Sequence, residues 1–538
     1  MSQNSHTPDH TKDAIALPEG EESDATCTDL EKNTHSNKKL EEAETTYLPT
    51  ILALTVSFGL SLCFFMANLD ETIVATAAPH ITEEFNSLTQ ISWLGAAYQI
   101  SFTVVQPLYA SLSEIFGLRP TILMTMTIFL IGSGLCSAAQ SMIWLIMMRA
   151  LQGVGGGGVV GMVYVTLAKV VPPKQLSTYQ SVVTSIFMLS SIIGPILGGV
   201  FSEVVNWRWG FLINIPIGIV SMALVACFLR VPPTTGSLRS KFKRIDFAGS
   251  AALLAVTVFL LVAISVGGGM LPWNSPTVIV LLCLTPVALA VFVWIEGKIA
   301  VNPVLPLHLF RSRELAIYSL ANFILGIALF GFIFYLPILF QIVNNISATS
   351  SGIQLLPFLV ITMGIDLACT FLLHHVGHLR TTLWVGHVLL IIGGGLLSTL
   401  GKESSSGMRI GYMVVTAVGM GLNFVNLILA MQFSAEPKDI GLAAGISVFF
   451  RTIGFPFGVA IGGSIVNNFA QAFVDSHPDL PSDILKHDPY ALLKHHPDIR
   501  EDAVQAYTQG IRGIQWTFRV LTILLGINFA CLLFVRRV

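Results

Sequence analysis

The sequence predicts an all-α polytopic membrane protein with fourteen membrane-spanning helices, on three observations. Of its 538 residues, 53% are hydrophobic and only 11% charged, against about 25% charged in an average soluble domain. Mean hydropathy is +0.73. Uncharged runs such as residues 51–68, 121–148 and 247–267 are long enough, at about 1.5 Å per helical residue, to cross roughly 30 Å of hydrocarbon. Backbone polar groups in lipid must be satisfied within their own segment, so the spans are helices.

Taken in order, residues 1–46 are polar and poor in aromatics; such a segment cannot bury enough apolar surface to fold and is expected to be a disordered cytoplasmic tail. Fourteen apolar segments follow, near 50–79, 93–113, 120–139, 142–167, 178–202, 208–229, 247–266, 276–296, 315–340, 349–374, 382–401, 408–432, 440–468 and 515–535. Lys and Arg in short loops are retained in the cytoplasm. With the N-terminus inside, fifteen basic residues from Arg119 to Arg537 fall on the cytoplasmic side and only Arg208, Lys402 and Arg409 in short external loops. Both termini are therefore expected in the cytoplasm, and the polar segment 469–513 outside. A faint repeat, FGLRPT at 116–121 and GHLRTT at 377–382, fits a transporter built from two related halves.

Composition also excludes. The net charge of −2 comes with no basic face for nucleic acid, and the seven cysteines are too scattered for a disulfide framework or a zinc site. No cofactor is expected. His374, His375 and His378 have no carboxylate or cysteine nearby to complete a metal site. The stretch RALQGVGGGGVVGM, residues 149–162, spells GxGxxG at Gly153, Gly155 and Gly158. A dinucleotide site would need a preceding strand and an acid about twenty residues on. Here the preceding residues are apolar and helical in character, and the next acid is Glu203. There is also no GxxxxGK[ST] phosphate loop, so no nucleotide is expected as ligand or fuel. The glycines instead suit close helix approach, at Gly153, Gly157 and Gly161, and Arg149, deep in that span, needs a partner or water.

With these residues in hand a resemblance can be stated. RALQGVGGG (149–157) resembles motif B of the major facilitator superfamily, and LDETIVATAAP (69–79) the first-span signature of its fourteen-span drug:proton antiporter family. GPILGG (194–199) resembles the fifth-span antiporter motif, and LYASLSEIFGLRP (108–120) the motif of the loop after span two. IVATAAPHITEEF and FYLPILFQ (334–341) are similar to fungal multidrug and toxin efflux pumps. The chain departs from these patterns at Ala110, Glu114, Leu118 and Ser190, which weakens the gating inference carried by Glu114, Gly117 and Arg119.

The resemblance implies a major facilitator fold: a half at 47–230, a cytoplasmic loop with two inserted spans at 231–300, and a second half at 301–538. It implies proton-coupled export of a small lipophilic substrate, toxin, drug or secondary metabolite, by a secondary transporter and not an enzyme. The plasma membrane is the expected location, a vacuolar or other organelle membrane the alternative. Import of a nutrient or siderophore-type chelate, or a non-transporting receptor, are the competing readings.

Asp70 and Arg149 lie at depths that agree to within about 5 Å, so they are candidates for a proton-coupling pair or for a static ion pair between spans one and four. Asp366, the acid of span ten, is a coupling or substrate-contact candidate or a packed carboxyl. Gly153, Gly157, Gly194, Pro195, Gly198 and Gly199 are expected to pack helices. Gln99, Gln152, Asn322, Gln341, Asn423 and Asn426 are candidate pocket residues, each equally able to bond a neighbouring helix. Arg451 is expected to anchor a network or meet an anionic group. Asn345 opens a glycosylation sequon.

Overall fold

Where some of the apolar runs begin, the residue before them caps the helix start. Ser141 accepts a bond from the Trp144 N–H, Asp246 from Gly249, Ser275 from Val278 and Ser405 from Met408, each oxygen satisfying one of the amides a helix start leaves orphaned. A computed structural model describes residues 48–85, 87, 91–231, 246–267, 271–300, 303–305, 307–344, 348–376, 378–476 and 500–535.

The helices are α1 (Thr50–Glu84), α2 (Ile91–Val104), α3 (Gln106–Phe116), α4 (Leu118–Ser137), α5 (Met142–Val170), α6 (Pro173–Val200), α7 (Arg208–Leu212), α8 (Asn214–Phe228), α9 (Phe247–Val266), α10 (Pro276–Lys298), α11 (Arg313–Asn344), α12 (Ala348–Val376), α13 (Leu379–Leu397), α14 (Ser406–Phe424), α15 (Asn426–Phe433), α16 (Ile440–Ser476) and α17 (Arg500–Leu533). Thirteen candidate spans among the described residues are long and apolar enough to cross a membrane. The fourteenth expected segment, 93–113, is covered by α2 and α3, which break at Val105. Pro107 explains the break, because it brings no N–H to the helix ladder.

Two local features are visible only in the structure. The polar segment expected as an external loop over 469–513 is helical at both ends, since α16 runs on to Ser476 and α17 starts at Arg500; no proline interrupts the chain between Pro456 and Pro478. Trp207, just before α7, is 4% exposed and gives its indole N–H to Glu84 at 2.6 Å. The expected tail, the sequon at Asn345, Gly377 of the repeat, and the side chains of Pro195, Gln341, His374 and His375 lie outside the described residues.

Packing sorts the helices. In one group α1 packs on α6 and α8, and α5 lies between α2 and α4; in the other α11 packs on α16 and α17, and α13 on α14 and α17. The groups meet where α12 packs on α6, and α16 on α5 and α3. α9 and α10 pair with each other, α9 resting on α2 and α16. Helix α5 is the central post of its group. Its glycines admit both neighbours: a Cβ at Gly153 or Gly157 would strike the Tyr98 or Phe102 carbonyl of α2, and one at Gly155 the Phe129 backbone of α4.

Candidate functional site: a buried ion network and a central cavity

Asp70 sits on α1 and Arg149 on α5, with exposures of 0% and 1%. One buried charge brought out of water is costly, so the two are held together with further donors. Arg149 Nη1 donates to Asp70 Oδ2. Asp70 Oδ1 accepts from Gln152 Nε2 and Asn214 Nδ2, both at 2.8 Å. Arg149 Nη1 also donates to Gln152 Oε1 at 2.7 Å, its Nε to the Leu94 carbonyl at 3.3 Å, and its guanidinium lies 4.1 Å from the centroid of the Tyr98 ring. Ser133 closes the network by accepting from Gln152 and Asn214 and donating to the Phe211 carbonyl. Six helices, α1, α2, α4, α5, α7 and α8, are thereby tied together around one carboxylate.

Gln152, expected among the pocket residues, is spent inside this network. Arg149 and Gln152 share a helix face at i and i+3, which the sequence shows. Ser133 and Asn214 come from α4 and α8, and their convergence on Asp70 is visible only in three dimensions.

In the other helix group Arg451 donates from Nη2 to Asn322 Oδ1 and to the Phe424 carbonyl, both at 2.7 Å, and lies 4.3 Å from the Phe424 ring centroid. Asp366 accepts from the Val425 N–H at 3.4 Å and from the Ser181 hydroxyl of α6, so it sits where the two groups touch. The remaining pocket candidates are engaged locally or lie apart. Asn322, Asn423 and Asn426 each give an amide N–H to the carbonyl four residues earlier on their own helix, and Gln99 is part-buried with its side-chain amide unpartnered among the described residues.

The space between the groups is a cavity of about 40 Å³ lined by Phe64, Asn68, Glu71, Phe102, Val160, Tyr164, Phe187, Phe424, Val448, Arg451, Thr452 and Phe455. None of the five expected pocket residues whose side chains are described is on this lining: Gln152 is held in the Asp70 network, Asn322, Asn423 and Asn426 bond carbonyls of their own helices, and Gln99 lies elsewhere. The lining instead has aromatic walls, one carboxylate and one guanidinium. A wider cleft of about 560 Å³, bounded by Thr399, Lys402, Glu403, Arg512 and Gln515, lies at the α13–α14 turn and near the start of α17, apart from these charges.

The motif after span two has a clear local logic. Gly117 takes φ 99°, the one positive φ among described glycines, a backbone that a side chain would strain, and this lets α3 turn into α4. Glu114 pairs with Lys169 of α5, while Arg119 is exposed. Of the remaining packing candidates, a Cβ on Gly194 or Gly198 would strike Thr72 or Thr76 of α1, whereas Gly199 faces open space. At the far end of α1, Glu84 binds Arg208 at 2.9 Å. Burial alone would raise its carboxyl, but the hydrogen bonds from Arg208 and Trp207 and the arginine's charge win and hold it below the usual glutamate range. Among the described residues no group of three or more His, Cys, Asp or Glu side chains is placed to hold a metal.

Comparison with known proteins agrees on the family. The pattern of the Major Facilitator Superfamily matches residues 60–459. The chain is 30% identical to the efflux pump FUS6 of Gibberella fujikuroi over 490 residues, 89% of this chain and 88% of that one. It is 33% identical to the efflux pump bfoC of Aspergillus brasiliensis over 442 residues, 82% of this chain and 78% of the relative. In fold it is similar to the human organic anion transporter MFSD10, at 15% identity and a TM-score of 0.59, covering 90% of this chain and all of that one. This chain is an integral membrane protein of the major facilitator superfamily, a transporter by family and by fold.

Proposed function

We propose that this protein exports lipophilic small molecules, of the toxin, drug or secondary-metabolite kind, from the cytoplasm in exchange for protons. The observation that carries the reading is the central cavity: it lies between two helix groups and combines aromatic walls with few polar groups, a lining that tolerates varied apolar ligands. The relatives named as efflux pumps support the direction. The groups act as two halves, 47–230 and 301–538, with α9 and α10 inserted, and rock about the cavity in alternating access.

At about 40 Å³ the cavity is closed around its centre, and the contacts that join the groups lie toward the end that charge distribution assigns to the cytoplasm. They include Gln106 to Thr452 at 3.4 Å and Gln180 to Gln432 at 3.2 Å. Asp70, with Arg149, takes and releases the coupling proton as the network around it loosens, and Asp366, bonded across the groups, is the second coupling candidate. Glu114, Gly117 and Arg119 gate the cytoplasmic end. Both termini face the cytoplasm, and the plasma membrane is the site of action.

The test uses purified protein in liposomes loaded with a pH-sensitive dye and a panel of lipophilic toxins. Proton movement that requires a compound and vanishes in Asp70→Asn is the expected result. Vesicles that move no protons with any compound, yet accumulate a nutrient or chelate, would remove the export reading in favour of import.

A further inference from the structure

Two opposite charges face the central cavity from the two helix groups, Glu71 on α1 and Arg451 on α16. Arg451 is 4% exposed and clamped by Asn322 and the Phe424 carbonyl, and its buried Nε has no partner among the described residues. Its guanidinium is thus fixed in place with a donor to spare. Neither Glu71 nor Arg451 is in an ion pair among the described residues. Other charges act on them from behind the lining: Asp70 and Arg149, themselves paired, act on Glu71, and Asp366 acts on Arg451.

In a site of low dielectric each of these charges discriminates strongly. A lipophilic acid would satisfy Arg451 and be repelled by Glu71; a lipophilic amine would satisfy Glu71 and be repelled by Arg451. A molecule with an acceptor at one edge and a donor at another satisfies both, while the aromatic walls take its apolar body. We propose that Glu71 and Arg451 form a two-point reader that selects amphoteric lipophilic molecules, bearing an acidic group for Arg451 and an amine or similar donor for Glu71, over matched acids and amines. The inference rests on the cavity being the transport site. The helices must part before such a molecule enters, since about 40 Å³ is open now.

The test is binding to the full-length protein in detergent micelles, read by fluorescence from four probes that share one dansyl group. Nε-dansyl-lysine carries both charges, 6-(dansylamino)hexanoic acid only the acid, dansylcadaverine only the amine, and N-pentyl dansylamide neither. Wild type should bind dansyl-lysine most tightly. Glu71→Gln should favour the acid over the amine by about tenfold or more relative to wild type, the order expected when one unit charge is removed a few ångströms away, and Arg451→Gln should move the ratio the other way. Glu71→Gln keeps its size and loses only charge, so it carries the test even where Arg451→Gln does not fold. An acid-to-amine ratio that stays within about twofold in Glu71→Gln, or no binding of any probe to monodisperse wild type, overturns the proposal. Micelle binding needs neither gradient nor direction. A shifted ratio with no liposome flux would sink coupled export and spare the reader, and flux with an unshifted ratio would do the reverse.

Discussion

At the scale of single residues, the Asp70 carboxylate accepts from Arg149, Gln152 and Asn214 with no exposed surface of its own. A buried acceptor that loses a donor cannot turn to water instead, so removing one should cost about 1–3 kcal/mol. Asn214→Leu removes the donor to Asp70 and the bond to Ser133. Gln152→Leu removes those of Gln152 and also the acceptor that Arg149 uses. Both variants should lower the thermal unfolding midpoint in detergent, Gln152→Leu by more; equal midpoints for wild type and Gln152→Leu would refute the network as a source of stability. The Asp70–Arg149 contact was legible in the sequence from matched depths. Glu71, the next residue, was not: which of two adjacent acids faces the cavity depends on the rotation of α1 against α5 and α6, which no local pattern encodes.

At the scale of helices, small side chains decide how closely neighbours approach. A Cβ at Gly157 would overlap the Phe102 carbonyl, whereas one at Gly199 would meet nothing within 4 Å. Gly157→Ala must therefore push α2 from α5, at a cost of about 1–3 kcal/mol for overpacking. Gly199→Ala should be neutral or gain up to about 1 kcal/mol from better helix propensity. Thermal midpoints and monodispersity on size exclusion separate the two; a Gly157→Ala protein as stable as wild type would contradict the packing. The sequence marked both glycines alike because motif spacing records periodicity and not which neighbour lies opposite. The glycines of α16 at 454 and 458 form a seam of the same kind, each closing on a backbone carbonyl of α11. The break at Val105 was missed because the apolar run continues through it, although Pro107 gave the signal.

At the scale of the whole molecule, the two groups touch through close contacts that the proposed alternating access would have to break. An added Cβ at Gly445 on α16 would stand 3.1 Å from the Ala110 Cβ on α3, so Gly445→Leu should wedge the groups apart at that end. Closed states would lose population to open ones. Hydrogen exchange should then quicken in α3 and in the first turns of α16 while the Asp70 network keeps its protection. Unchanged exchange in α3 would show that this contact does not hold the groups together.

The sequence by itself determined the class, the approximate spans, the family and the matching depths of Asp70 and Arg149. Hydropathy follows from composition over a span, and motif residues sit at fixed offsets along one helix. Only the tertiary structure decided which polar residues face the cavity. Asn322, Asn423 and Asn426 turn to their own helices, Gln152 joins the ion network, and Glu71 and Arg451 line the central space. The physical reason is that a buried amide must find a partner within reach, and whether its side chain faces its own helix, a neighbour or the cavity is fixed by helix rotation and crossing, which arise from packing across hundreds of residues.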